Sequence, residues 1–364
     1  MKNLEKVLIV GAGISGAVCA RELAEKGHKC LVIEKRPHIA GNCYDYIDNA
    51  GVLVPKYGPH LFHTNDKGVW EYVQRFGEFV PYEHRVLASV DGKIVPVPVN
   101  ITTVNTLFGE NIQDEEGMKD WLSRNTEQIE DPQNSEEVSL KLVGRELYEK
   151  IFKNYTIKQW NTDPKNLRPE VMARIPVRFN FEDRYFTDEF QGMPRDGYTR
   201  LFENLLDHEN IEVRVNEEYS GREADEKIIF TGKIDMYFDE IGLPKLQYRS
   251  LEFVHHSFPE EYKLPSTTFN LPQDTTFTRV TEPKRSTGQK CKNTTLIYEI
   301  PRDEGEPYYP HMTDENLALY EEYKKHAVEA EKDGVFFLGR LANFKYFNMD
   351  AAFRNALDFV EDKF

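Results

Sequence analysis

Three glycines, and an acid about twenty residues beyond them, have the spacing that most directly suits a chemical task. The stretch Gly11-Ala12-Gly13-Ile14-Ser15-Gly16 reads GxGxxG. It follows a short apolar run, Lys6–Val10, and opens a segment, Ser15–Lys26, in which Ala17, Ala20, Leu23 and Ala24 share one helical face. Gly11 permits a tight turn, Gly13 lets a pyrophosphate approach the backbone, and Gly16 lets helix and strand pack closely. The first amides of the helix, Ser15 among them, offer N–H groups and a positive dipole end to phosphate. A second strand, Lys29–Glu34, ends in Glu34, where a carboxylate bonds ribose hydroxyls. Strand, glycines, helix, strand and acid fall in register, which points to a dinucleotide with a free 2′-hydroxyl, FAD or NAD rather than NADP.

The elements that must position these residues extend along the whole chain. Its 364 residues exceed one ordinary core, so about two or three domains are expected. The βαβ opening implies a parallel sheet. Lys227–Phe230 and Gly334–Leu338 read as further buried strands, and Ala351–Val360 as an amphipathic helix. The expected fold is therefore α/β: a discontinuous Rossmann-like domain from residues 1–75, 200–243 and 325–364. Residues 100–165, rich in helix formers, form a helical domain, with 126–139 an exposed loop or weak helix. Residues 76–99, 166–199 and 244–324 form an antiparallel sheet domain, with 168–190 read as strand-like.

Composition excludes several functions. A net charge of −16 argues against nucleic-acid and anionic-membrane partners. An anionic small substrate then needs a local group of arginines. There is no apolar run long enough to cross a bilayer and no signal segment, so a soluble, cytoplasmic protein is expected. Cys19, Cys30, Cys43 and Cys291 lack metal-like spacing and read as structural thiols. No Ser-His-Asp set or metal cluster stands out.

FAD is favoured over NAD by the run Glu34-Lys35-Arg36-Pro37-His38-Ile39-Ala40-Gly41-Asn42. It resembles the extended FAD signature of glutathione-reductase-like flavoproteins, with Ala40-Gly41 in place of a glycine pair. Gly339-Arg340 looks like the second FAD contact of that group. A final helix starting near Met349 would turn its N-terminus to the flavin pyrimidine.

From Tyr57 onward the chain resembles the bacterial UDP-galactopyranose mutase family. The motifs are Tyr57-Gly58-Pro59-His60-Leu61-Phe62-His63-Thr64, Tyr155-Thr156-Ile157-Lys158-Gln159-Trp160, Arg174-Ile175-Pro176-Val177-Arg178-Phe179, Tyr185-Phe186, Thr278-Arg279, Pro307-Tyr308-Tyr309-Pro310 and Gly339-Arg340-Leu341 through Tyr346, in the family's order. The resemblance implies interconversion of a nucleotide-sugar pyranose and furanose, with reduced FAD whose N5 forms an adduct with the sugar. It implies that Arg174 and Arg279 hold the diphosphate, joined by Tyr185, Tyr309 and Tyr346. Phe152, Tyr155 and Trp160 would form the base pocket, Thr156 would also bind substrate, and Asn270 would bond the pyrimidine edge. His60 and His63 would sit beside the flavin, while Gly11, Gly13, Ser15, Gly16, Glu34, Lys35, Asn42, Gly339, Arg340 and Met349 would hold FAD. The loop bearing Arg174 is expected to close on substrate. A homodimer and an NADH or NADPH reductant are also implied.

Departures from the family pattern gather near the sugar. His84 stands where an Asn is usual, Pro283 replaces a His, Asn348 replaces an Asp, and Ile151 replaces a frequent Phe at the base pocket. A 6-deoxy or N-acetyl sugar, as in dTDP-fucopyranose or UDP-N-acetylgalactosamine, is the alternative to galactose. Two further readings are an FAD-dependent oxidoreductase of the amine-oxidase type and an inactive nucleotide-sugar-binding relative.

Overall fold

The structure is a computed structural model that describes residues 5–173, 176–221 and 227–364. Arg174 and Ile175 lie outside the described residues. Five strands form an all-parallel sheet in the order Ile211–Val215, Lys29–Glu34, Lys6–Val10, Lys227–Phe230, Val335–Phe337. Alternate side chains leave opposite faces, and both faces are covered, as all-parallel sheets require. Val7 and Ile9 enter one core with Ala17, Leu23 and Phe353, contributed by helices Ile14–Glu25 and Met349–Lys363. Leu8, Ile33, Ile228 and Phe230 enter the other. The chain supplies this sheet in three separate stretches, as the sequence predicts. The structure adds the edge strand Ile211–Val215.

A second sheet has seven strands, in the order Tyr309–Pro310, Tyr248–Phe258, Thr294–Arg302, Arg279–Thr281, Thr268–Asn270, Val86–Val90, Lys93–Pro96. It is antiparallel, as expected, except where Thr268–Asn270 runs parallel to Val86–Val90. Residues 168–190, expected as strand-like, form a short turn at Pro169–Val171 and isolated bridges at Val177 and Arg184. The reason is local. Pro169 and Pro176 carry no N–H, and the side chains of Asn180 and Glu182 accept the amides of Glu182 and Arg184 at 2.9 and 3.0 Å. The next strand, Phe190–Pro194, joins neither large sheet. It pairs with Phe62–Thr64 and Phe79–Pro81 in a separate three-stranded sheet.

Between the hairpin Val86–Pro96 and this region lies the helical layer. Ile101–Phe108 starts with a capping box of Asn100 and Thr103. Glu115–Asn125 and Ser135–Leu147 follow, so within 126–139 the loop is 126–134 and the rest is helix. Near the end of the latter, Gly144 takes φ 79 and ψ 170 and bends the chain. A π-helical turn, Tyr148–Lys153, then leads into Asn154–Trp160. π-Turns shift the phase of a helix and recur at functional sites. Here the turn is held by a core of Met118, Trp121, Leu147, Tyr148, Ile151 and Phe152.

A side chain at residue 144 would meet the Asn125 carbonyl oxygen at 2.0 Å, in a backbone region that is nearly glycine-only. Gly144→Ala is thus expected to lower the unfolding free energy by about 3 kcal/mol. An unchanged urea-denaturation midpoint would contradict this account of the bend.

Candidate active site

The glycine turn is built as the spacing demands. Gly11 has φ 104 and lies so close to Thr231 that a Cβ would sit 2.2 Å from its hydroxyl oxygen. A Cβ on Gly16 would sit 1.9 Å from the Gly11 carbonyl oxygen. Gly13 caps the helix without any side-chain hydrogen bond. Glu34 is buried and accepts the amides of Ala12 at 3.0 Å and Arg36 at 2.9 Å. A carboxylate has about four acceptor sites, so capacity for a ribose hydroxyl remains. Gly339, with φ 96, packs against Ser15, where a Cβ would come within 2.7 Å of the Ser15 oxygen. The uncapped helix start, Gly13 facing only the backbone of Gly41, and the braced acid together suit a dinucleotide pyrophosphate and ribose.

The flanking residues are placed as follows. Lys35 and Arg36 both meet Glu306, and Arg36 also donates to Asn42 at 2.9 Å. Arg340 donates to the carbonyls of Tyr308 at 3.0 Å and Phe347 at 2.6 Å, under the Tyr346 ring. Met349 opens the last helix, as predicted. Asn348 is its N-cap but makes no side-chain cap bond, and is exposed.

A second cluster centres on Arg279. This residue pairs across its strand neighbours with Asn270 on one side and Glu299 on the other. Its Nε donates to Glu299 Oε2 at 2.9 Å; the carboxylate is 3% exposed and the arginine side chain 31%. Burial works against the guanidinium's charge, but Glu299 and the nearby Tyr155 and Tyr309 hydroxyls outweigh it and hold the charge in place. Its field reaches His60, His84, Tyr155 and Tyr309. Burial raises Tyr155 to about 12, with Tyr185 and Tyr346 acting in the same direction, so its phenol stays protonated. Tyr309, raised by burial, accepts from Gln159 and packs edge-on to Trp160 at 5.3 Å. The other amide atom of Gln159, Oε1, is buried without a partner among the described residues. Thus Tyr155, Tyr185, Asn270, Arg279, Tyr309 and Tyr346 gather in one region. Phe152 and Thr156 instead face the helical layer: Phe152 is core, and the Thr156 hydroxyl meets Met172 Sδ at 3.4 Å.

Two histidine rings meet Phe186. His63 stacks on it at 3.6 Å and the His84 ring centre lies 5.8 Å from it. His63 Nδ1 meets Asp188 Oδ2 at 3.0 Å, which places a ring proton on Nδ1 and leaves Nε2 as the second functional nitrogen. His84 Nδ1 meets the Tyr82 hydroxyl at 3.0 Å. Burial, with the charges of Arg279 and His63, pushes His84 down to about 3. Burial likewise pushes His60 down to about 4, reinforced by Arg340 and Arg279 and opposed by its bond to the Gly58 carbonyl. Sequence reasoning missed Glu299, Asp188 and Gln159 as partners. Glu299 did leave a signal, as an acid inside the apolar run Thr294–Ile300.

A parallel dinucleotide-type sheet combined with an arginine–tyrosine cluster on a second sheet defines an α/β enzyme of the Rossmann type. The family models divide in the same way. Residues 9–76 match the NAD(P)-binding Rossmann-like domain, and residues 150–346 match UDP-galactopyranose mutase. The chain is 38% identical to the "Probable UDP-galactopyranose mutase" of Klebsiella pneumoniae, covering 99% of this chain and 95% of that protein. It is 40% identical to the dTDP-fucopyranose mutase of Escherichia coli, covering 98% and 97%. The crystal structure of a reduced UDP-galactopyranose mutase superposes with a TM-score of 0.74 at 17% identity, over 98% of this chain and 95% of that one, and so shares the fold. The chain belongs to the UDP-galactopyranose mutase family and is a mutase, an isomerase, of that family.

The two histidines give the fold an acid limit. Both have folded-state values below the unfolded value of about 6.5. The unfolded chain therefore binds more protons below that pH, so their stabilisation is present above it and lost on acidification towards 4 and 3. The melting temperature should fall between pH 7 and pH 4, and His84→Asn should make the fall shallower. An identical slope in that variant would show that His84 is not buried neutral.

Proposed function

We propose that the protein interconverts the pyranose and furanose forms of a nucleoside-diphosphate hexose, with FAD held in the Rossmann half and active when reduced. The observation that carries this reading is Arg279, oriented by a buried carboxylate and surrounded by Tyr155, Tyr185, Tyr309 and Tyr346. Such a set suits a diphosphate, since charge-assisted bonds from arginine and neutral phenols match its oxygens. Reduced flavin, when bound, supplies the nucleophilic electron pair at the anomeric carbon.

The protein's own residues hold the geometry. Arg279, with Arg174 as a second cation, keeps the departing nucleoside diphosphate beside the sugar, ready to return. Tyr155 and Tyr309 remain proton donors at working pH because burial raises both. Phe186 fixes the plane of His63, and Asp188 fixes its tautomer, beside the expected flavin position. Trp160 and Tyr155 would enclose the pyrimidine, with Asn270 at its edge.

Galactose is the first reading for the sugar. A 6-deoxy sugar is the second, favoured by His84 and Asn348. His84 is neutral and already bonded to Tyr82, and Asn348 brings an amide where the family pattern has a carboxylate. Both changes alter the donors and acceptors offered to the sugar. The relatives named for these two activities are 38% and 40% identical to the chain.

Anaerobic incubation of dithionite-reduced enzyme with UDP-galactose and with dTDP-fucose tests both readings. A furanose identified by NMR, formed only by reduced enzyme and without hydrogen peroxide, is expected. The sugar with the larger kcat/KM decides between the readings. Arg279→Ala should lower kcat/KM by roughly 100-fold or more. Net oxidation of substrate with peroxide release would instead identify an oxidase.

A further inference from the structure

The helix Asn154–Trp160 carries Tyr155 and Trp160, while a hairpin carries Asn270 at one foot and Arg279 at the other. One side chain ties these two elements together. Lys158 Nζ donates to three backbone carbonyls, Leu271 at 2.7 Å, Asp274 at 2.6 Å and Phe277 at 2.7 Å. All three belong to the loop that joins Asn270 to Arg279. Thus one ammonium gives each of its three donors to a different carbonyl of one loop.

The loop is shaped to receive it. The Leu271 amide donates to the Thr278 carbonyl at 2.9 Å and closes the neck. Asp274 Oδ1 accepts the amides of Thr276 and Phe277, both at 2.7 Å, which turns the backbone so that the carbonyls converge. Together these carbonyls form a cage for a small monovalent cation, and Lys158 provides that cation from another layer of the molecule. A second tie runs alongside: Lys150 pairs with Asp91, which also accepts from Gln273 at 2.6 Å. That tie lies at the surface, where an ion pair contributes little.

We propose that Lys158 is a positioning residue for the nucleotide, setting the separation between the base-side residues on its helix and Asn270 and Arg279 at the feet of the hairpin. This rests on the nucleotide-sugar reading above. Lys158 lies one helical turn from Tyr155, and the caged loop ends one residue before Thr278-Arg279. A shift of the loop relative to the helix therefore changes the span between base and diphosphate subsites. Loss of the ammonium leaves three converging carbonyls to repel one another and opens that span.

The test uses the FAD-loaded enzyme with UDP and dTDP as probes. Lys158→Ala is expected to weaken binding of the better probe roughly tenfold, as for loss of bonds to a charged group, measured by calorimetry. KM should rise in parallel while kcat stays within about threefold, because the reacting centre keeps its residues. Propylammonium chloride, which restores the missing atoms, should recover most of the affinity, whereas sodium chloride at equal ionic strength should not. Lys158→Gln, which offers a neutral amide donor on a shorter stem, should lie between wild type and Lys158→Ala and guards against a folding defect in the alanine variant. Nucleotide affinity within twofold of wild type in Lys158→Ala overturns the proposal. So does an affinity loss that propylammonium leaves unrepaired while it restores the melting temperature. Wild-type enzyme that binds neither probe would overturn the nucleotide-sugar reading itself, and this inference with it.

Discussion

The ion pair between Arg279 and Glu299 is the interaction on which the second half of the site depends. Both residues sit on neighbouring strands in direct register, facing the same side. A slip of one residue would send the arginine to the opposite face of the sheet. The carboxylate is almost wholly buried, so neither charge is tolerable alone: removing one partner of a buried pair is far more costly than the pair is worth. The pair therefore fixes a cation where an anion can approach one edge of the guanidinium. That cation helps to keep His60 and His84 neutral, and the tyrosines around it remain protonated donors.

Much of the Rossmann half was legible because its signals are local. The strands Lys6–Val10 and Lys29–Glu34 have the bounds that their apolar runs suggest, and the glycines sit where a Cβ would collide. The helix at Met349 begins where its apolar face begins. Residues 168–190 misled because bulky aromatic and β-branched residues favour strands, while the prolines and side-chain-to-backbone bonds leave only isolated bridges among the described residues there. The parallel pairing of Thr268–Asn270 with Val86–Val90 was also out of reach. It joins segments separated by the whole helical layer.

The partners of the site residues were the least visible part. Nothing near Lys158 in the sequence points to carbonyls more than one hundred residues away. Asp188 is far from His63 in sequence, although it lies three residues before Gln191, the strand partner of His63. Chemical types and motif order indicated which residues would gather. Which charge braces which, and which hydroxyl turns inward, as that of Thr156 does, depend on long-range packing. Arg174 belongs to the predicted set but lies outside the described residues.

The parallel sheet has a consequence for synthesis. Its central strand, Lys6–Val10, is made first, but its neighbour Lys227–Phe230 comes more than two hundred residues later, and Val335–Phe337 later still. Gly339 must then settle against Ser15 before the pyrophosphate cradle has its second wall. A nascent chain thus carries a half-built, apolar-faced βαβ unit through most of its translation, the state in which strand edges are open to misassembly. Closure of the dinucleotide cradle becomes a late event, because it waits for Gly339 to reach the turn at Gly11–Gly16, and it reports on whether these distant segments have met.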